Sequence, residues 1–325
     1  NSDVPFGSFL SGGIDSALVS SIASKQTKAK LKTYTIGFDN PKYDESLLAE
    51  TFSSIIGTSH TETKCSAKDL VDLLPVFFSS YGEPFADSSA IPSLLLNKTT
   101  KPNVTVALSG DGGDESFLGY NHFDWSWKVK TFFKIPILIR ALLAKIIPFK
   151  FAGKRGQGVK NIFNYKNFDY FIEGIFTGFG PLLLKQKNTN WLKEYRLFKS
   201  LSLEPLQRMA DLNIKLWLEN DSNVKVDRAS MAYGVEVRSP FLDYRIIEFA
   251  RTLPVSYRFQ KGKRKKILRD ILGEYIPEEI FDVPKKGFSI PIGDWFRNEL
   301  KDDLIKHLND DFFDKIECLN VENVK

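Results

Sequence analysis

Residues 4–16 run Val4-Pro5-Phe6-Gly7-Ser8-Phe9-Leu10-Ser11-Gly12-Gly13-Ile14-Asp15-Ser16, an apolar stretch that breaks into a glycine turn and restarts as a helix. Val4 to Leu10 reads as a strand, and Ala17, Leu18, Ile22 and Ala23 then recur at helical spacing on one face. Glycines let backbone amides approach an anion closely, and the free amides and dipole of a helix N-terminus favour negative charge there. Ser11 and Ser16 add hydroxyl donors. Asp15 would repel a phosphate unless a cation lay between them, so it reads as a magnesium ligand.

The pattern repeats outward from this turn. Leu31 to Phe38 is a second strand, and Asp44 caps a helix marked by Leu47, Leu48, Phe52, Ile55 and Ile56 that ends at Gly57. His60 to Cys65 is a third strand, followed by a helix through Leu70, Leu73, Leu74 and Phe77. Asn103 to Leu108 is a fourth, entering a second glycine turn, Ser109-Gly110-Asp111-Gly112-Gly113-Asp114-Glu115. Strands alternating with helices predict an α/β class: a Rossmann-like parallel sheet with flanking helices. Its ligands sit beyond the carboxyl ends of the strands, where both glycine turns lie, so the two are expected to face one pocket. From Tyr120 the pattern turns mainly helical, with Leu206, Met209, Ala210, Asn213, Leu216 and Trp217 marking a helix. The phenylalanine-rich stretch 163–179 stays unassigned. The division expected is 1–120 as a nucleotide-binding core and 121–325 as a mainly helical part.

Bulk properties set limits. The chain has 325 residues, 42% apolar and 26% charged, enough to bury a core and unlike a disordered chain. A net charge of +5 makes no case for nucleic acid as a partner. Two cysteines, Cys65 and Cys318, exclude a disulfide framework and point to a reducing, cytoplasmic setting. Residues 132–151 are rich in apolar side chains, but Lys134, Pro136, Arg140, Lys145 and Pro148 interrupt them, and a bilayer needs roughly 20 uninterrupted residues. A partly buried or interface helix is expected there, and no membrane partner. The chain starts at Asn1 without methionine, as a fragment would. No G-x-x-x-x-G-K-[ST] loop and no G-x-G-x-x-G fingerprint follows a strand, which removes kinase-like and dinucleotide readings.

The Ser11–Ser16 turn resembles the PP-loop of the ATP-pyrophosphatase (adenine nucleotide alpha hydrolase-like) superfamily. Ser109–Glu115 with Gly119-Tyr120 resembles a signature of its asparagine synthetase family. Val226–Ala232 (VDRASMA), Gly234–Asp243 (GVEVRSPFLD), Tyr43–Ser46, Gly82–Ser89, Lys265–Arg269 and Pro284–Phe288 match further blocks of that family, in its order.

The resemblance implies ATP and Mg2+, and roles residue by residue. Leu10 and Ile36 fall where the family's backbone frames adenine. Ser11, Gly12, Gly13, Ser16, Ser109 and Gly110 fall where it meets the nucleotide or its pyrophosphate. Asp15 and Asp114 match the metal-holding acids and Lys265 the phosphate-binding lysine. Asp111 stands where some members carry Glu, linked to general-base or intermediate-stabilising work. Glu83, Asp87, Ser88 and Ser89 are candidates for the wall of an acceptor site, and Glu236 and Arg238 for substrate contact. The implied reaction is amidation of a carboxylate through an acyl-adenylate, aspartate to asparagine, with AMP and pyrophosphate released. A different acceptor, such as a uronic acid in surface polysaccharide synthesis, uses identical ATP motifs and stays open. So does a homo-oligomer. The family's glutaminase domain has no counterpart here, because no cysteine precedes Cys65; free ammonia is the expected donor, with the domain expected in the full-length protein.

Other residues receive structural readings. Asp227, Arg228, Glu236, Arg238 and Asp243 are expected mostly as buried ion pairs. His60 is expected to be structural and Cys65 to sit in the core. In the run Lys261–Lys266, one lysine is expected to be catalytic and the rest on the surface.

Overall fold

The structure, a computed structural model, describes residues 3–146, 160, 162–177, 204–260, 262–283, 290–308 and 315. The block Pro284–Phe288, Lys261 and Cys318 lie outside these residues. The chain divides into two compact units, Asn1–Gly119 with Asn213–His307, and Tyr120–Leu212 with Leu308–Lys325.

The first unit is built on a five-stranded parallel sheet of β1 (Phe6–Phe9), β2 (Lys32–Gly37), β3 (Ser59–Lys64), β4 (Val106–Leu108) and β5 (Glu236–Arg238), in the order β3-β2-β1-β4-β5. Gly7 lies opposite Lys32 on one side and Ala107 on the other, and Leu108 opposite Arg238. The four expected strands are present. The fifth escaped notice because three residues cannot display an alternation, and it joins the sheet from far along the chain.

The helices follow local chemistry. α1 (Ile14–Gln26) starts at the first glycine turn. α2 (Ser46–Ile56) is preceded by Asp44, whose Oδ1 accepts from the Ser46 amide at 3.1 Å, and Gly57 ends it at φ +73. α3 (Ala67–Tyr81) opens on a capping box: Ser66 accepts from the Asp69 amide and Asp69 accepts from the Ser66 amide. α4 is Ala90–Thr100. Two buried apolar clusters result, one around Ile36, Leu73 and Leu94, the other around Leu10, Leu18 and Phe52.

Ile22 was expected on the buried face of α1 but is 36% exposed. It borders an apolar cavity of about 660 Å³ that Leu18, Phe241, Ile246 and Ile271 also line, so packing stops short of it. Cys65 is buried, and His60 Nδ1 meets Thr33 Oγ1 at 3.0 Å, both structural as expected.

The second unit contains α5 (Asn121–Val129), α6 (Ile137–Ile146), α7 (Phe168–Thr177) and α8 (Pro205–Leu212). Its hub is Arg140, 1% exposed, which donates to the carbonyls of Ile135, Phe163, Tyr165 and Lys166 at 2.9–3.2 Å. Phe132, Phe133, Phe163 and Phe171 pack edge-on or tilted around this region. The helix expected from Leu206 is α8, and the residues after it, Asn213–Ser222, are π-helical rather than a simple continuation. Among the described residues no helix is long and apolar enough to cross a membrane.

Candidate active site

The chain leaves β1 to build β2 and β3 on one side, then returns to place β4 on the other. A reversal of this kind opens a crevice at the carboxyl ends of β1 and β4, where both glycine turns begin. The turns touch. A Cβ on Gly110 would stand 2.6 Å from the Ser16 nitrogen, and one on Gly113 would stand 2.6 Å from Asp15 Cγ. Only glycine permits so close an approach. Arg258, buried, steadies the second turn by donating to the Ser116 carbonyl at 3.1 Å.

Lys265 joins them from 250 residues beyond Asp15. It precedes α11 (Lys266–Leu272; α9 is Asn223–Met231 and α10 is Tyr244–Thr252), and α11 packs against α1. Its φ of +55 is the left-handed region, uncommon for a side-chain-bearing residue and found where surroundings over-determine the backbone. The side chain is buried, with Nζ 2.7 Å from Asp114 Oδ1 and in closer contact with Asp15 Oδ2. Burial works against the ammonium, yet the Asp114 and Asp15 carboxylates outweigh it and raise the lysine pKa. Of the described neighbours in the basic run, Lys263 pairs with Glu278 at 2.9 Å on the surface, Lys266 pairs with Asp270 and is half-buried, and Arg264 donates to the Gly119 carbonyl at 3.1 Å.

Two carboxylates meeting at one point are the hard oxygen donors that Mg2+ takes, with phosphate oxygens and water completing the shell. Among the described residues no group of three or more His, Cys, Asp and Glu forms a metal site on its own. Asp15 and Asp114 would supply two of those oxygen donors.

The serines brace the turns. Ser11 Oγ and Ser16 Oγ are 2.8 Å apart, and the Gly13 amide donates to Ser11 Oγ at 3.1 Å. Ser109 Oγ donates to Asp111 Oδ2 at 2.6 Å, and Ser239 donates to the Asp111 carbonyl. Leu10 and Ile36 point their side chains into the two cores, leaving their backbones at the strand ends.

The remaining candidates separate. Asp87 accepts from the Ser89 amide and hydroxyl at 2.9 and 2.7 Å and from Lys225 Nζ at 2.8 Å. Burial works against its charge, but Lys225 and Ser89 outweigh it and lower its pKa. Asp221 faces the same carboxylate. Burial first, and then the charge and hydrogen bond of Asp87, push it up to about 6 against the pull of Lys225. Lys225 and Asp221 were not singled out in the sequence, where an isolated lysine and aspartate far from Asp87 carry no periodic signal. Ser88 is half-buried and Glu83 exposed, on the loop between α3 and α4.

The expected buried ion pairs are corrected. Arg238 and Glu236 pair at 2.7 Å with side chains 49% and 58% exposed. Asp243 pairs with Arg245 and caps α10, and Asp227 and Arg228 are exposed. Glu236 and Arg238 lie on β5, an edge strand of the sheet.

A family model described as asparagine synthase matches residues 1–325. The chain is similar to glutamine-hydrolyzing asparagine synthetase 1 of Bacillus subtilis, 32% identical over 316 residues, which cover 93% of this chain and 49% of that protein. It is similar to a putative glutamine-hydrolyzing asparagine synthetase of Mycobacterium tuberculosis, 30% identical, covering 91% and 46%. It is also similar to amidase chyE of Penicillium rubens, 24% identical, covering 90% and 50%. The chain thus spans about half the length of the curated relatives it matches.

Proposed function

The chain belongs to the asparagine synthase family, and from that premise we propose that it carries out the synthetase half of an ATP-dependent amidation. The observation that supports this is Lys265 held between Asp15 and Asp114 where two glycine turns meet. Residues 1–120 are the nucleotide-binding core and residues 121–325 complete its site through Lys265. Amides and hydroxyls of Ser11–Ser16 cradle the pyrophosphate part of ATP, the backbones of Leu10 and Ile36 frame adenine, and Ser109 and Gly110 meet the nucleotide. Asp15 and Asp114 would hold Mg2+, which would supply charge neutralisation on the polyphosphate.

In the first step a substrate carboxylate oxygen attacks the α-phosphorus. The bond to the β-phosphate oxygen breaks, giving an acyl-adenylate and pyrophosphate. Lys265 sets its positive charge against the oxygens that gain negative charge, acting by alignment and electrostatics rather than covalent help. In the second step the ammonia lone pair attacks the acyl carbon and AMP leaves. Asp111, oriented by Ser109, is the carboxylate that takes a proton from the attacking nitrogen.

The acceptor proposed is aspartate, with Glu83, Asp87, Ser88, Glu236 and Arg238 as candidates around it. A second acceptor is argued by the similarity to a protein named as an amidase rather than an asparagine synthetase: the same frame then amidates another carboxylate, such as a uronic acid. This stretch uses free ammonia without hydrolysing glutamine, works in the cytoplasm, and joins a glutaminase domain in the full-length protein. Aspartate-dependent exchange of labelled pyrophosphate into ATP is the expected result. Exchange with none of a panel of carboxylic acids would count against adenylation itself, and exchange with an acid other than aspartate would replace the acceptor.

A further inference from the structure

Helix α6 carries its apolar side chains outward. Leu138 is 81% exposed, Ile139 51%, Leu142 58% and Ile146 67%. At 3.6 residues per turn these four fall within about 100° of arc. Arg140 and Ala144, the buried residues of the helix, lie on the opposite side. The inversion has a cause. Arg140 turns its guanidinium inward to four backbone carbonyls, and that anchoring rotates the aliphatic stripe away from the unit's interior. A contiguous exposed apolar stripe marks an interaction surface.

Charge identifies the partner. Between Asp124 and Asp169 the sequence has ten Lys or Arg and no Asp or Glu, whereas the whole chain has 45 basic and 40 acidic residues. Outside this stretch the chain is therefore net negative. Lys134 and Lys145, both exposed, bracket the helix, and Lys145 borders the stripe.

We propose that α6 docks on an anionic lipid surface, lying in the interface with its stripe at the headgroup–acyl boundary and the lysines at phosphate level. The described part of the helix is ten residues long and carries Arg140 and Lys145, so the contact proposed is peripheral and reversible rather than a span. The expectation of no membrane partner rested on the lack of a span, and a helix that lies on the surface needs none. A protein partner fits less well, because lysine is depleted at protein interfaces whereas it is favoured beside the negative headgroups of an anionic leaflet. This inference stands independently of the ligase reading.

Flotation of the purified chain with vesicles tests it. Association is expected with phosphatidylcholine vesicles containing phosphatidylglycerol at low salt, with release at high salt as the charges are screened. Pure phosphatidylcholine is expected to bind at least about tenfold less. The paired change Leu138→Ser with Leu142→Ser is expected to lower binding to anionic vesicles about tenfold while circular dichroism and melting stay unchanged. Lys134→Glu with Lys145→Glu is expected to weaken it as well, and serves should the first variant misfold. No flotation of the wild-type chain with anionic vesicles overturns the proposal, as does equal flotation of the apolar variant. A concentration-dependent dimer in sedimentation velocity, lost in that variant and unaccompanied by flotation, assigns the face to a second copy instead.

Discussion

Lys265 holds apart two carboxylates that would otherwise face each other in a buried pocket, with side-chain exposures of 5% for the lysine, 13% for Asp15 and 18% for Asp114. Removing one partner from such a group costs about 3–5 kcal/mol, because the remaining charges lose their compensation. Lys265→Ala is therefore expected to melt lower in metal-free buffer and to regain more stability than wild type when Mg2+ is added. Differential scanning calorimetry reads this directly, and equal Mg2+ shifts in both proteins would sink it. AMP formation by the variant is expected to fall by about 10²-fold or more, the scale seen when one transition-state donor is lost.

Asp221 supplies a pH test at the same scale. Its pKa, about 6 when folded against 3.8 for an ordinary aspartate, means that the folded state binds more protons than the unfolded one between those values. Its contribution to stability is complete below 3.8 and is lost as pH rises through about 6. Asp87, shifted down, acts oppositely, losing its contribution only as pH falls through its own lowered value. Urea midpoints for Asp221→Asn are thus expected to rise relative to wild type between pH 5 and pH 7. A flat difference across that range would contradict the assignment.

Among the elements, the two glycine turns form one contact and must be changed as one. Gly110→Ala forces a methyl against the Ser16 nitrogen at 2.6 Å and Asp15 Cβ at 2.8 Å, both on a backbone that cannot swing away. Overpacking of this kind costs about 1–3 kcal/mol. The sheet is expected to survive, since β1 and β4 pair upstream of the contact, while ATP binding weakens by about tenfold or more through the separation of Asp15 from Asp114. Calorimetric titration with ATP and far-ultraviolet circular dichroism separate the two effects. This contact also explains why each glycine turn was legible in the sequence while the fit between them was not. Ser11–Ser16 announces itself by strand, glycine and helix start within thirteen residues of Val4, whereas the fit between Gly110 and Asp15 involves segments that share no periodicity.

For the molecule as a whole, the second unit depends on Arg140 in a way the first unit does not. Arg140→Met removes donors from four carbonyls, and hydrogen bonds to charged groups contribute about 1.5–3 kcal/mol each before compensation. Faster amide exchange is expected across residues 162–172, with strands β1, β2 and β4 unchanged. Uniform acceleration throughout the chain would show that the two units do not unfold separately.

The order of strands and helices in the first 120 residues, the identity of both glycine turns and the family followed from the sequence alone. The elements and turns are each encoded within a dozen neighbouring residues, by propensity, periodicity and turn chemistry, and the family by several such blocks in order along the chain. Tertiary structure decided what depends on groups brought together from far apart. It seated Lys265 between Asp15 and Asp114, placed Lys225 on Asp87, sent Glu236 and Arg238 to an exposed edge, and turned the apolar stripe of α6 outward. Burial and charge pairing are sums over spatial neighbours, and a single chain read in order contains no local signal of which neighbours those will be.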